Sequence, residues 1–111
     1  MTSGEVQGHV DAMLLAILAD GPLHGYAVSE QLRVRSGGEF DLAEGTIYPA
    51  LHRLERGGLL TSRWQTVGGR RRRVYALSRA GRRAIGERRA SWRAFRGAVD
   101  AVLGVEALET G

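Results

Sequence analysis

The sequence predicts a mainly helical α+β domain that contains one β-hairpin. Apolar residues recur at the spacing of amphipathic helices in the first half of the chain and again in its last third. Between these segments, two runs that favour extended structure flank a pair of glycines, as in a hairpin. The length of 111 residues, without an internal repeat or a low-complexity linker, is that of a single domain.

The composition excludes several classes of protein. There is no cysteine, which excludes disulfides, thiol catalysis and thiolate metal sites. No apolar run reaches the roughly 18 residues that a membrane span needs. The longest, residues 13–19, is not preceded by the basic segment of a signal peptide. We therefore expect a cytoplasmic protein without a membrane partner.

Charge is distributed unevenly along the chain. All 16 basic residues are arginines, and the overall net charge is +4. Residues 1–60 carry a net −4, residues 61–96 a net +11 and residues 97–111 a net −3. Because arginine binds phosphate well, the basic block indicates a polyanionic partner. A solvated basic face is the alternative, and charge alone does not separate the two.

Two helices are predicted before residue 40. The first covers residues 9–19, after a polar segment 1–8 that we expect to be frayed, and it ends at Asp20-Gly21-Pro22. Its apolar positions follow the helical template: Val10, Met13, Leu14, Ile17 and Leu18. The second covers residues 25–35, buries Val28, Leu32 and part of Tyr26, and ends at the glycines after Ser36.

The third helix has an apolar back and a front rich in hydrogen-bond donors. Its apolar stripe consists of Ile47, Ala50, Leu51 and Leu54, and its other face of Tyr48, His52, Arg53 and Arg56. Ala43 is a weak cap, Pro49 lies near the first turn, and Gly57-Gly58 ends the helix. Such a helix fits the major groove of DNA, although an ordinary surface helix has the same pattern.

A basic hairpin follows the third helix. Residues 59–66 and 71–77 favour extended structure, and Val67-Gly68-Gly69-Arg70 forms the turn between them. Three helices followed by a hairpin are typical of a winged helix-turn-helix, in which the hairpin is the wing. We assign residues 9–77 to this DNA-binding domain. The arginines at the tip of the wing are placed to reach phosphates or a minor groove.

A long final helix, capped by Ser78 and ending near Leu103, is predicted to pair two subunits. Its apolar residues follow an a/d pattern: Ile85, Trp92, Phe95, Val99 and Val102. Leaving such side chains in water forgoes about 1.5–3 kcal/mol each. We therefore assign residues 78–103 to a dimerisation helix, with folding back onto the subunit's own core as the alternative, and expect a disordered tail from Gly104 onward.

Several short motifs, in order and spacing over residues 10–103, resemble the PadR family of bacterial transcription regulators. They are Gly21-Pro22-Leu23-His24-Gly25-Tyr26, residues 45–55, Gly58-Leu59-Leu60, Gly69-Arg70-Arg71-Arg72, Val74-Tyr75 and Leu77-Ser78. The single final helix is similar to that of the small subfamily. The chain has Ala43 where the family often has Ser or Thr, which removes one capping contact.

The resemblance implies a homodimeric winged-helix repressor of a promoter with a two-fold-related operator, released by small aromatic or lipophilic molecules. It also implies that Trp92 faces its mate across a dimer pore, with Asp11, Arg89 and Arg96 as neighbours of the effector. A tryptophan that only fills the dimer core is the alternative for Trp92.

On double-stranded DNA, we expect Thr46 and Tyr48 to meet phosphate and base edges at the start of the third helix. Arg53 lies farther along and would contact backbone or a guanine. The Tyr26 hydroxyl would contact a phosphate, unless this ring is a core aromatic with a wet tip. Most of the sequence-independent affinity is assigned to Arg70, Arg71 and Arg72.

The sequence also bears on two other classes of function, an enzyme and a sequence-independent nucleic-acid-binding module. An enzyme is disfavoured because His9, His24 and His52 lie in separate elements without metal-ligand spacing, and no phosphate loop or catalytic dyad is present. We therefore expect no catalytic residue, metal or cofactor. A sequence-independent, nucleoid-type nucleic-acid-binding module without a ligand stays open, since a basic wing alone would serve it.

Overall fold

The computed structural model describes residues 3–105, and their side chains from Gln7 onward. The elements, in chain order, are helix α1 (Ser3–Leu18), strand β1 (Leu23–His24), helices α2 (Gly25–Arg35) and α3 (Glu44–Arg56), strands β2 (Leu60–Val67) and β3 (Arg70–Leu77), and helix α4 (Arg79–Leu103). The mainly helical α+β prediction with one hairpin is confirmed. Most of the tail assigned to disorder lies outside the described residues.

The sheet has three antiparallel strands in the order β1-β3-β2. The hairpin register runs from Leu60 opposite Leu77 to Val67 opposite Arg70. The two turn residues, Gly68 and Gly69, have φ values of 60° and 80°, a conformation that glycine adopts without penalty. Strand β2 is shifted by one residue from the predicted range 59–66, and strand β3 begins one residue before the predicted range 71–77. Strand β1 was not predicted because two residues carry no alternating pattern.

One core lies between the helices and the sheet. It combines four residues of α1, two of α2, the predicted stripe of α3, the inner face of the hairpin and one residue of α4: Leu14, Leu15, Ile17, Leu18, Val28, Leu32, Ile47, Ala50, Leu51, Leu54, Leu60, Tyr75, Leu77 and Ile85. The apolar back of α3 is therefore confirmed as buried. Burying each such side chain contributes about 1.5–3 kcal/mol, which fixes the orientation of α3 on the subunit.

Helix α1 begins at Ser3, so the prediction of a frayed segment up to Gly8 was wrong. Tertiary contacts stabilise these turns. Arg88 of α4 donates to the Gly8 carbonyl at 3.0 Å, and the ring of His9 packs edge-on to that of Trp92 with centroids 5.6 Å apart. Such contacts are invisible in the local sequence, which shows only a polar, glycine-containing start.

The two ends of α3 differ in how well they are capped. Ala43 provides no side-chain hydrogen bond, as predicted, and Pro49 lies in the second turn rather than the first. At the other end, Gly58 has a φ of 81°. Its amide donates to the Glu55 carbonyl, and the amide of Leu59 donates to the Leu54 carbonyl. These two hydrogen bonds end the helix, and the chain then continues into β2.

The first turn of α4 is pressed against the loop after α3. The Ser78 hydroxyl caps the helix by accepting from the Gly81 amide at 3.1 Å, and it donates to the Gly58 carbonyl at 2.6 Å. A Cβ atom at Gly81 would lie only 2.1 Å from the Leu59 carbonyl oxygen. This close approach carries Ile85 into the subunit core. The assignment of Ile85 to the dimer seam was therefore wrong, since its side chain is already covered.

Candidate nucleic-acid interface

The start of α3 combines an exposed threonine with a tyrosine whose ring is fixed. Thr46 is exposed, whereas Tyr48 is half-buried. The Tyr48 ring lies on Gly25, the first residue of α2, where an added Cβ would come within 2.4 Å of Cε1 and 2.9 Å of the hydroxyl. The structure thus brings Tyr48 to the N-terminal end of α2. Glycine at position 25 is what allows that approach.

Tyr26 lies on the surface beside this contact. It is 51% exposed, so the alternative of a core aromatic does not hold. Its ring is stacked on His24, with centroids 6.4 Å apart and planes 15° apart. His24 caps α2, since its Nδ1 accepts from the Ala27 amide at 3.3 Å. Burial lowers the pKa of His24, and the nearby charge of Arg72 lowers this pKa further.

Arg53 does not extend freely from α3. Its Nη2 forms an ion pair with Asp11 of α1 at 2.6 Å. The side-chain amide of Gln7 lies against the same guanidinium. This arrangement corrects two expectations. The guanidinium assigned to DNA holds α3 against α1, and the carboxylate placed beside the effector is occupied by that guanidinium.

The wing is anchored at its base and free at its tip. At the base, Arg73 donates from Nε to Ser62 Oγ at 2.9 Å, Ser62 donates to Glu55 of α3 at 2.5 Å, and Arg73 Nη2 lies 3.6 Å from the Glu55 carboxylate. At the tip, Arg70 and Arg71 are exposed and Arg72 is half-buried. Among the side chains from residue 7 to residue 105, no carboxylate oxygen lies within 4.0 Å of these three guanidiniums.

Trp64 is a further residue of this surface, which the strand propensity of residues 59–66 does not indicate. It is 54% exposed, and the guanidinium carbons of Arg71 and Arg73 each lie 5.8 Å from the centroid of its ring. The hairpin register could have revealed this cluster. Trp64 faces Arg73 directly across the ladder, and Arg71 lies two residues farther on the same face.

The second half of α4 carries an exposed apolar surface. Trp92 and Phe95 are 49% and 59% exposed, and Val102 is 87% exposed. Val99 is half-buried, and Arg89 and Arg96 are exposed. The Trp92 ring contacts those of His9 and Phe95, with centroids 5.6 and 5.7 Å away. His9 is thus the α1 residue beside Trp92, a neighbour that local sequence patterns did not indicate.

Among the side chains of residues 7–105, no group of three or more histidine, aspartate or glutamate residues is arranged to hold a metal ion. The structure describes the helices over residues 3–105, and none of them is both long and apolar enough to cross a bilayer.

Comparison with known proteins connects this architecture to one family. The model of the Transcriptional regulator PadR-like family matches residues 14–87. Transcriptional regulator Rv3488 of Mycobacterium tuberculosis is 46% identical over 71 residues, which are 64% of this chain and 64% of that protein. The alignment thus spans somewhat less than two thirds of Rv3488.

Two solved structures illustrate the shared fold. A PadR family transcription regulator from Clostridium difficile R20291 is 31% identical with a TM-score of 0.76, over 86% of this chain and 98% of that one. Bacillus subtilis PadR in complex with operator DNA is 24% identical with a TM-score of 0.64, over 70% of this chain and 44% of that one. The family consists of transcription regulators, not enzymes. Because the family model covers more than half of it, this chain is a member of the PadR-like family of transcriptional regulators.

Proposed function

We propose that the protein is a repressor that binds a two-fold-related operator as a homodimer. The observation that carries this proposal is the free arginine tip of the wing, held on α3 through the Arg73–Ser62–Glu55 contacts. These three guanidiniums, which have no carboxylate partner among the described side chains, form a local positive surface that attracts phosphates. Because the base of the wing is fixed to α3, both elements approach a duplex as one unit. As a regulator of promoters, the protein would act in the cytoplasm.

The contacts with DNA would come from three places. The start of α3 would enter the major groove, with Thr46 and Tyr48 against phosphate and base edges. The exposed hydroxyl of Tyr26 would contact the backbone, and Arg70, Arg71 and Arg72 would neutralise phosphates beside or within the minor groove. The complex of Bacillus subtilis PadR with operator DNA supports this assignment through the family. In this proposal residues 9–77 form the DNA-binding unit.

The second subunit would pack on the last turns of α4. Trp92, Phe95, Val99 and Val102 lie on one side of the helix at a/d spacing, and three of them are exposed in the single chain. Pairing two such surfaces removes apolar area from water. Residues 78–103 would then contain the dimerisation element, and the residues that contact the second subunit would lie after Ile85.

The effector would bind at the same aromatic surface. Trp92 offers a flat, half-exposed indole, with Arg89 one turn before it and Arg96 one turn after it on the same side of α4. A planar aromatic acid would stack on the indole and pair with a guanidinium. It would release DNA by favouring a subunit spacing that misfits the operator. Trp92→Ala should abolish ligand-induced release and spare DNA binding, and release that persists would place the pocket elsewhere.

A genomic selection tests the proposed function. Sheared DNA from the source organism is mixed with the protein, and the retained fragments are sequenced and then competed against bulk DNA. A regulator should prefer its own promoter by about a thousandfold or more. Equal retention of all fragments would instead identify a sequence-independent nucleic-acid-binding module, the other candidate that a basic wing allows.

A further inference from the structure

Trp64 is an unusual residue to find at the surface of the wing. Its indole is 54% exposed, and it is not part of the subunit core. Large aromatic side chains lose a favourable burial energy when they stay in water. The subunit core does not need this ring, because the hairpin residues that belong to the core, Leu60, Tyr75 and Leu77, lie toward the end away from the tip.

The ring of Trp64 lies beside two arginines that differ in their other contacts. Arg73 is anchored by Ser62 and Glu55. Arg71 is exposed, and no described carboxylate lies within 4.0 Å of it. Both guanidinium carbons are 5.8 Å from the ring centroid, which is within the range of a cation–π contact. A planar guanidinium on an aromatic ring keeps its hydrogen-bond donors directed outward.

We propose that Trp64 is a positioning residue of the wing, and that it holds the Arg71 guanidinium in place for a DNA phosphate. An arginine that is already restricted in solution loses less side-chain entropy when it binds. Trp64 thus raises affinity through Arg71 and makes no DNA contact of its own. This inference rests on the proposed DNA-binding function, and it adds a residue that acts through another rather than on the duplex.

A double-mutant cycle between Trp64 and Arg71 tests the proposal. Binding of the wild-type protein and its variants to a mixed-sequence duplex is measured from about 50 to 200 mM salt, the range in which phosphate contacts dominate affinity. Trp64→Ala should weaken binding about two- to fivefold for each wing, the range of an exposed cation–π contact. It should have no further effect in the Arg71→Ala protein. The salt slope should fall by about 0.9 for each wing in Arg71→Ala, about 1.8 for a dimer, and stay unchanged in Trp64→Ala, which keeps the charge.

Two control variants separate positioning from a general change in the wing. Thr66→Ala alters the residue directly opposite Arg71 on the same strand as Trp64, but it removes no ring, so it should leave affinity unchanged. Trp64→Phe keeps an aromatic face and should restore most of the affinity lost in Trp64→Ala. Trp64→Ala should also add fully to Arg70→Ala, since Arg70 lies on the opposite face of β3.

Three results would overturn the inference. Equal weakening by Trp64→Ala with and without Arg71 would mean that the ring touches DNA directly. Loss of the Trp64 effect in the Arg70→Ala protein would mean that the substitution deforms the whole wing. In both cases the wild-type protein still binds the duplex, and the proposed function stands. A wild-type protein that binds no duplex would overturn the proposed function and the inference together.

Discussion

The two halves of α4 continue one helix and one apolar repeat, but they differ in what covers them. In the first half, Gly81 packs against the Leu59 carbonyl and Ile85 is buried in the subunit core. In the second half, Trp92 and Phe95 remain about half-exposed, and Val102 is almost fully exposed. A helical repeat therefore identifies which residues need a partner surface, but not which subunit supplies it.

The arginines divide in the same way. Arg53 and Arg73 are neutralised within the subunit by Asp11 and Glu55. Among the described side chains, the wing-tip arginines have no such partner. All of these residues are arginines, and the fold decides which of them stabilise the subunit and which remain without a carboxylate partner among the described side chains.

The largest effects on stability are expected in the first two turns of α4, at Gly81 and at Ile85. Gly81→Ala would place a Cβ within 2.1 Å of a backbone oxygen that cannot move aside. We expect a loss of about 3 kcal/mol in the free energy of unfolding, typical of overpacking at a rigid site. Gly86→Ala is the matched control, since a Cβ added at Gly86 would meet no described atom within 4 Å outside its own stretch of helix. It should stabilise the protein by about 0.5–1 kcal/mol through helix propensity. Similar thermal melts for both variants would refute the close packing.

Ile85 and Phe95 should respond differently although they belong to one repeat. Ile85→Ala should lower the free energy of unfolding by about 2–5 kcal/mol, the cost of a core cavity. Phe95→Asp should leave the fold of the subunit intact, because the Phe95 side chain is 59% exposed and lies outside the subunit core. It should weaken self-association about a hundredfold or more. Circular dichroism and sedimentation distinguish the two outcomes. A dimer unaffected by Phe95→Asp would contradict the division of α4.

The wing-tip arginines should dominate the salt dependence of DNA binding. Replacing Arg70, Arg71 and Arg72 together by alanine should reduce the slope of log affinity against log salt by about 2.7 for each wing, and so by about 5.4 for a dimer that binds with two wings. Arg53→Ala should leave this slope unchanged, because Arg53 is paired with Asp11, and should cost about 1 kcal/mol of stability. If Arg53→Ala lowered the slope by about 0.9 for each subunit, the contribution of one phosphate contact, Arg53 would belong to the DNA interface.

A smaller, pH-dependent effect is expected at His24. Its pKa is lowered in the folded protein, so the unfolded chain binds the proton more readily. The contribution of His24 to stability is thus complete above its unfolded pKa of about 6.5 and is lost as pH falls through the folded pKa. Thermal unfolding between about pH 8 and pH 5 measures this loss. His24→Asn keeps a capping oxygen and cannot titrate, so it should remove this component. An unchanged pH profile in His24→Asn would contradict the role of His24.

Local patterns were sufficient to predict much of this fold. The stripe Ile47-Ala50-Leu51-Leu54, the Gly68-Gly69 turn and the Ser78 cap each depend on neighbours within a few residues. These features fixed α3, the wing and the start of α4, and with them the position of the free arginine tip.

The errors concern contacts between distant parts of the chain. The Arg53–Asp11 pair joins residues that are 42 positions apart. The early start of α1 depends on α4 residues, and the burial of Ile85 depends on how closely Gly81 approaches Leu59. No periodicity within one element reveals such contacts, since tertiary packing decides them.

The exposed second half of α4 is the surface that we expect to bind a second copy of the chain. Sedimentation equilibrium of the wild-type protein and of Phe95→Asp at micromolar concentration measures this self-association. We expect a wild-type mass of about twice the 12.1 kDa chain mass, and a single-chain mass for the variant. A wild-type protein that sediments as a folded single chain of 12.1 kDa would contradict this expectation.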